Sequence, residues 1–238
     1  MCVLFIAYRK HPRHPLIVLA NRDEFYDRPT APAARWEDHP HVTAGRDLVA
    51  GGTWLGIADG GRFAAVTNFR DPHRPNGTVS RGRLVADFLI GDAAAEEYIA
   101  AIAREAVNYS GFNLVVADRE DLYYFTNAAG EGPERLSPGD YGLSNHLLDT
   151  PWPKVSSGLA AFERLIENEE ISKEAAFDLL ADKTLAADDD LPDTGIGIEK
   201  ERLLSSIFIR SPIYGTRSST VVSADLDWNL ELDERVFV

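Results

Sequence analysis

The chain has 238 residues, with 24 Lys plus Arg against 38 Asp plus Glu, a formal charge of −14. Its 45% hydrophobic and 26% charged content is that of a soluble globular protein long enough to bury a proper core. So acidic a chain is a poor general binder of nucleic acid or anionic lipid, and a single cysteine excludes an internal disulfide or a thiolate zinc cage.

In chain order, Cys2 to Tyr8 is apolar and β-prone, and Leu16 to Ala20 matches it across a basic, Pro-containing turn, which predicts a hairpin. The opening apolar run is too short to span a membrane and no basic region precedes it, so no signal peptide or membrane span is expected. The lone cysteine suits a cytoplasmic setting. Residues 25 to 50, rich in Pro, Asp, Arg and His, read as a long irregular excursion of the kind that lines sites. Thr53 to Ala58 and Arg62 to Phe69, joined by Gly60-Gly61, form a second predicted hairpin.

Two helices follow. Ser80 to Ile90 carries Leu84, Phe88 and Leu89 on one stripe, and Asp92 to Val107 carries Tyr98, Ile99 and Ile102, with Asp92 as N-cap. Phe112 to Ala117, Leu122 to Asn127 and Tyr141 to Asn145 are predicted strands; Lys154 to Glu167, Lys173 to Asp182 and Glu199 to Phe208 are predicted helices. An acidic loop precedes the last of these, and Thr216 to Ala224 with Trp228 to Phe237 form a closing hairpin. Strands and helices both come in neighbouring pairs, which argues against a doubly wound sheet and for antiparallel sheets covered by helices. No linker divides the chain, so one domain over 1–238 is expected.

The chemistry centres on Cys2. If the preceding methionine is removed, this residue carries a thiol and a free α-amine, so nucleophile and base sit together. The alternative is a small apolar residue opening a buried strand. Asn21-Arg22-Asp23-Glu24 ends the second strand and brings Arg22 or Asp23 near Cys2, or else forms a structural ion-pair knot. Asn68 and Asn145, at other strand ends, are either oxyanion donors or turn residues, and Arg217-Ser218-Ser219 opens the late strand. His11-x-x-His14 and His39-x-His41 lack a third ligand and read as loop histidines, so no metal is expected. With no P-loop, no G-x-G-x-x-G after a strand and no G-x-S-x-G, no cofactor is implied.

Met-Cys2, Asn21-Arg22-Asp23-Glu24, Gly51-Gly52-Thr53-Trp54-Leu55-Gly56, Thr67-Asn68-Phe69-Arg70, Leu143-Ser144-Asn145-His146 and Tyr214-Gly215-Thr216-Arg217-Ser218 together resemble the NRDE protein family, also called the transport and Golgi organisation protein 2 family. The resemblance runs from residue 1 to about 224. It implies an α+β fold similar to the N-terminal nucleophile hydrolases, a four-layer αββα sandwich of two antiparallel sheets flanked by helices. By resemblance to the acylases of that fold, Cys2 is the nucleophile, Asn145 an oxyanion donor, Asn68 a contact of the amine or oxyanion, and Arg217 a neighbour of the thiol. Arg22 and Asp23 match an Arg and an Asp that those acylases separate but that are adjacent here. Asn21, Glu24, Trp54, Arg70 and His146, drawn from the same motifs, are the expected substrate contacts. The family has been connected with haem trafficking and with acyl-coenzyme A metabolism. A second function is therefore a carrier of haem or acyl-coenzyme A, with Arg22, Arg70 and Arg217 clamping phosphates or propionates. Either way the expected partner is a small molecule.

Overall fold

The computed structural model describes residues 2–238. Its first hairpin pairs β1 (Cys2–Tyr8) with β2 (Leu16–Phe25), Cys2 lying opposite Arg22. The expected irregular excursion is instead a strand pair, β3 (Thr30–Arg35) and β4 (Val42–Asp47). Pro32 obscures β3 in the sequence. It is tolerated because β3 is an edge strand, and the register shifts between Ala31 and Ala34. Next come β5 (Leu55–Ala58), β6 (Arg62–Asn68), α1 (Gly82–Ile90) and α2 (Ala95–Glu105). Asp92 does not cap α2. Asp118, from a turn between later strands, accepts from the Ala95 N–H at 2.8 Å and performs that task from outside the helix.

The chain continues through β7 (Phe112–Ala117), β8 (Leu122–Thr126), the two-residue β9 (Glu134–Arg135) and β10 (Gly139–Leu143). It closes with α3 (Pro153–Ile166), α4 (Lys173–Leu180), α5 (Ile198–Leu203), β11 (Tyr214–Ala224) and β12 (Leu230–Val236). One sheet has the order β10-β1-β2-β11-β12 and the other runs β3 to β9 in sequence, every pairing being antiparallel.

Alternation along β1 explains the layers. Leu4, Ile6 and Tyr8 face the second sheet and pack with Leu55, Phe63 and Val115, while Val3, Phe5 and Ala7 face Phe162 of α3 and Phe177 of α4. The outer face of the second sheet is covered by α1 and α2 through Leu84, Phe88 and Ile99. The result is the expected α-β-β-α stack. Its layers are seated closely at glycines. A Cβ on Gly158 of α3 would lie 2.1 Å from the Phe5 ring, and one on Gly52 would lie 2.5 Å from the Gly82 backbone. Gly158, in the second turn of α3, thus lets that helix drop onto β1, and Gly52 lets the start of α1 lie against the loop before β5. Among the described residues no helix is long and apolar enough to cross a membrane.

Candidate functional site

A cavity of about 560 Å³ opens at the ends of β1, β2 and β11, and Cys2 lines it. Arg22, Asp23, Glu24, Trp54, Asn68 and Arg217 line it too. The β3–β4 pair adds a wall through Thr30, Pro32 and Arg46, so the segment expected to border a site does so as a sheet edge.

Cys2 is 7% exposed. Burial pushes its thiol up, with the Asp23 carboxylate adding to that, while Arg22 and a hydrogen bond from the Asp23 N–H favour the thiolate. The thiol is therefore protonated at neutral pH and needs an adjacent base to react. Register explains the neighbours: Cys2 faces Arg22, which faces Ser218, so all three project from the sheet's inner side. The Asp23 carboxylate accepts from the Thr216 hydroxyl at 2.7 Å; burial raises it and the Lys154 ammonium opposes that.

Arg217 sits at an irregularity of β11, between Thr216 and Ser218. The bulge takes its side chain out of the regular alternation. Its Nη1 donates to the carbonyls of Phe25, Tyr26 and Arg28 at 2.9, 3.1 and 2.6 Å. It staples the crossover from β2 to β3, and its Nη2 donates to the Val238 carbonyl at 3.3 Å, so its hydrogen bonds go to backbone carbonyls and not to the thiol.

Asn145 and Asn68 meet. The Asn145 amide donates to the Asn68 carbonyl at 3.0 Å, and the Asn145 carbonyl accepts from the Arg70 N–H at 2.7 Å. Asn145 is fully buried beside the cavity and Asn68 lines it. A relay of side chains braces this corner. The Tyr124 hydroxyl donates to Asn113, whose amide donates to the Thr67 hydroxyl; Thr67 donates to the Ser144 carbonyl, and the Ser144 hydroxyl donates to the Cys2 carbonyl at 3.1 Å. Each group is buried and satisfied, which fixes where the Cys2 backbone stands.

Three expected substrate contacts lie elsewhere. Asn21 is on the opposite face of β2 from Arg22. Its amide donates to the Leu180 and Ile207 carbonyls at 2.8 and 3.0 Å, and it accepts from Ser219 at 2.6 Å. It ties the sheet to the helical layer. Asn21→Leu leaves two carbonyls and a hydroxyl unsatisfied and is expected to cost about 3 kcal/mol or more, read as a lower urea midpoint at unchanged slope. Arg70 is buried against Glu201 at 2.6 Å and lies over the Trp152 ring at 4.6 Å. His146 packs between Phe69 and Trp152, with Nδ1 2.9 Å from the Thr150 hydroxyl. Neither lines the cavity.

The sequence reading missed two cations. Arg81, at the start of α1, lines the cavity and donates to the Gly111 carbonyl at 2.9 Å; burial lowers its guanidinium, and the Cys2 and Glu24 charges oppose that. Lys154, in the first turn of α3, is 3% exposed, and burial pushes its ammonium down to about 8. No sequence signal marks either as buried, because docking of each helix onto its sheet creates the burial. Among the described residues no group of three or more His, Cys, Asp or Glu is placed to hold a metal.

The fold is shared with solved amidases and acylases. Penicillin V acylase from Agrobacterium tumefaciens superposes with a TM-score of 0.52 at 12% identity, covering 99% of this chain and 86% of that one. The Caenorhabditis elegans N-acylethanolamine-hydrolyzing acid amidase ortholog superposes at 0.53 with 10% identity, covering 100% of both chains. The α+β sandwich is thus that of the N-terminal nucleophile hydrolases. In sequence, the Transport and Golgi organization protein 2 homolog of Bos taurus is 38% identical over 258 residues, covering 99% of this chain and 92% of that protein. The family model described as Transport and Golgi organisation 2 matches residues 1–238. With motifs, fold and relatives in agreement, the chain belongs to the Transport and Golgi organisation 2 family.

Proposed function

We propose that the protein is an N-terminal cysteine hydrolase of a non-peptide amide or related acyl bond. The observation that carries this reading is the single cysteine, at position 2, set in the wall of a 560 Å³ cavity at the end of an inner-sheet strand. Cleavage of the bond before Cys2 frees its α-amine, whose ordinary pKa of about 7.7 suits a base at neutral pH. The amine takes the thiol proton as sulfur attacks the acyl carbon. The side-chain amides of Asn68 and Asn145 are the donors for the oxyanion, and Asp23 holds the ammonium that forms. The ammonium gives its proton to the leaving amine, and water, deprotonated in turn, releases the acid from the thioester. A cytoplasmic setting, where the thiol stays reduced, suits this chemistry.

The carrier reading is weaker. Of its three clamp arginines, Arg70 is paired with Glu201 outside the cavity and Arg217 holds backbone carbonyls. Arg22 lines the cavity, as does the Arg217 already bonded to those carbonyls.

The test is covalent. Protein with a free Cys2 α-amine, incubated with a series of N-acyl p-nitroanilides and p-nitrophenyl esters, should acquire an acyl mass on the Cys2 peptide. It should then release the acid with turnover. Absence of any adduct across the series, with the amine shown free by intact mass, would end the proposal.

A further inference from the structure

Five arginines and four carboxylates line the cavity, and most have partners. Arg28 pairs with Asp47 at 2.7 Å, and Arg46 holds both oxygens of Asp38 at 2.8 Å. Glu234 accepts from the Ala33 N–H at 2.7 Å, Glu24 from the Phe25 N–H at 2.8 Å, and Asp23 from the Thr216 hydroxyl. Arg217 is held by backbone carbonyls. Two arginines stand apart. Among the described residues no side-chain hydrogen bond or ion pair reaches Arg22, and Arg81 makes one bond only, from Nη1 to the neutral Gly111 carbonyl at 2.9 Å.

Arg81 also has a wall to itself. Residues 76–82 and Ser110 form that side of the cavity, and Arg81 is the one charged side chain in it; the lining carboxylates are on β2, β4 and β12. The Gly111 carbonyl that takes Arg81 Nη1 takes the Phe69 N–H as well, at 3.0 Å, and Phe69 follows Asn68. The guanidinium is thereby tied to the corner where Asn68 meets Asn145. One of its five N–H groups fixes its orientation, and the other four have no partner among the described residues. Arg22 and Arg81 are both half-buried, so part of the water that would screen their charges is excluded.

We propose that the substrate of this cavity carries a negatively charged group and that Arg81 is the residue that binds it, with Arg22 adding positive charge at the Cys2 end. That the anion belongs to a substrate rests on the hydrolase reading; that the cavity takes an anion does not. The guanidinium fork matches a carboxylate or phosphate in shape as well as charge. A chain of formal charge −14 repels anions at long range, so an anion held here is held by short, directed bonds. The cavity should therefore discriminate between charged and neutral forms of one molecule.

The experiment compares matched alkylating agents that differ in charge: iodoacetate with iodoacetamide, and 4-(iodoacetamido)benzoate with its carboxamide. Because Cys2 is the only cysteine, each rate is read by intact mass and referred to the rate with a free thiol. In the unaltered protein at least one anionic reagent is expected to gain about tenfold or more on its neutral partner, relative to the free thiol, and Arg81→Met should remove most of that preference. Arg81→Lys, which keeps the charge without the fork, should retain part of it. No anion preference in either pair overturns the proposal without any variant, and so does a preference that survives Arg81→Met undiminished. Protection of Cys2 from iodoacetamide then locates the charge. Glutaric acid monoanilide carries it on the acyl side of the amide and 3-acetamidobenzoate on the leaving side; the one whose protection is lost in Arg81→Met names the side. Protection by neither overturns the assignment of the anion to an amide substrate. None of these results depends on turnover, so failure here and failure to acylate Cys2 are told apart.

Discussion

Cys2→Ala is expected to retain the fold and lose amide turnover by a factor of about 10⁴ or more, the scale seen when a nucleophile is removed from a centre that acts as a unit. The loss cannot be shared with another thiol, because Cys2 is the only cysteine in the chain. Packing changes little: deletion of one buried sulfur costs about 1 kcal/mol, a melting shift of roughly 2–4 °C. Cys2→Ser should be equally inactive, since a buried hydroxyl is a far weaker acid than a thiol and the α-amine cannot activate it to the same degree. The measurement is turnover of whichever amide acylates Cys2, with circular dichroism melting as the control. Full activity in Cys2→Ala would remove the cysteine from the mechanism altogether.

The second large effect is on stability. Arg70→Met should destabilise the protein by about 3–5 kcal/mol, because it strands the Glu201 carboxylate in a place where its side chain is 2% exposed. A chain of this size should then melt roughly 10 °C lower. The damage should reach the site as well, since the Arg70 N–H holds the Asn145 carbonyl and the Arg70 guanidinium lies over Trp152, two residues before Lys154. Adding Glu201→Gln to Arg70→Met should recover part of the lost stability, because the second change removes the stranded charge. A melting temperature within 2 °C of the parent for the single variant would mean that the pair carries no weight.

The architecture was legible in the sequence where alternation was strong. β1, β7 and β8 are apolar runs bounded by turns, and their pairing follows from neighbouring order. β3 and β4 were not legible, because an edge pair with Pro32 and several charges has the composition of a loop. The site was half legible. Cys2, Arg22, Asp23 and Asn68 line one cavity, and their clustering at strand ends is readable in the sequence. Asn21, expected from its motif at the cavity, bonds instead toward the helical layer. Carried through to Phe25, the period of two puts Asn21 on the side of Leu19 and Ile17, away from Arg22. Lys154 was invisible, since a lysine opening a helix after Trp152-Pro153 is indistinguishable from a solvated one until Gly158 seats that helix on Phe5.

The insertion of β11 between β2 and β12 has a consequence for biogenesis. Thr216, which holds Asp23, and Ser218, which lies across from Arg22, are synthesised some 190 residues after their partners; the Thr216–Asp23 bond alone spans 193 positions. Until that strand leaves the ribosome and closes the sheet, the aspartate is without its clamp and the crossover after β2 without its Arg217 staple. Pairing at such separation is slow to form. The thiol is thus translated first and armed last: a nascent or truncated chain carries Cys2 but not the surroundings that would make it react.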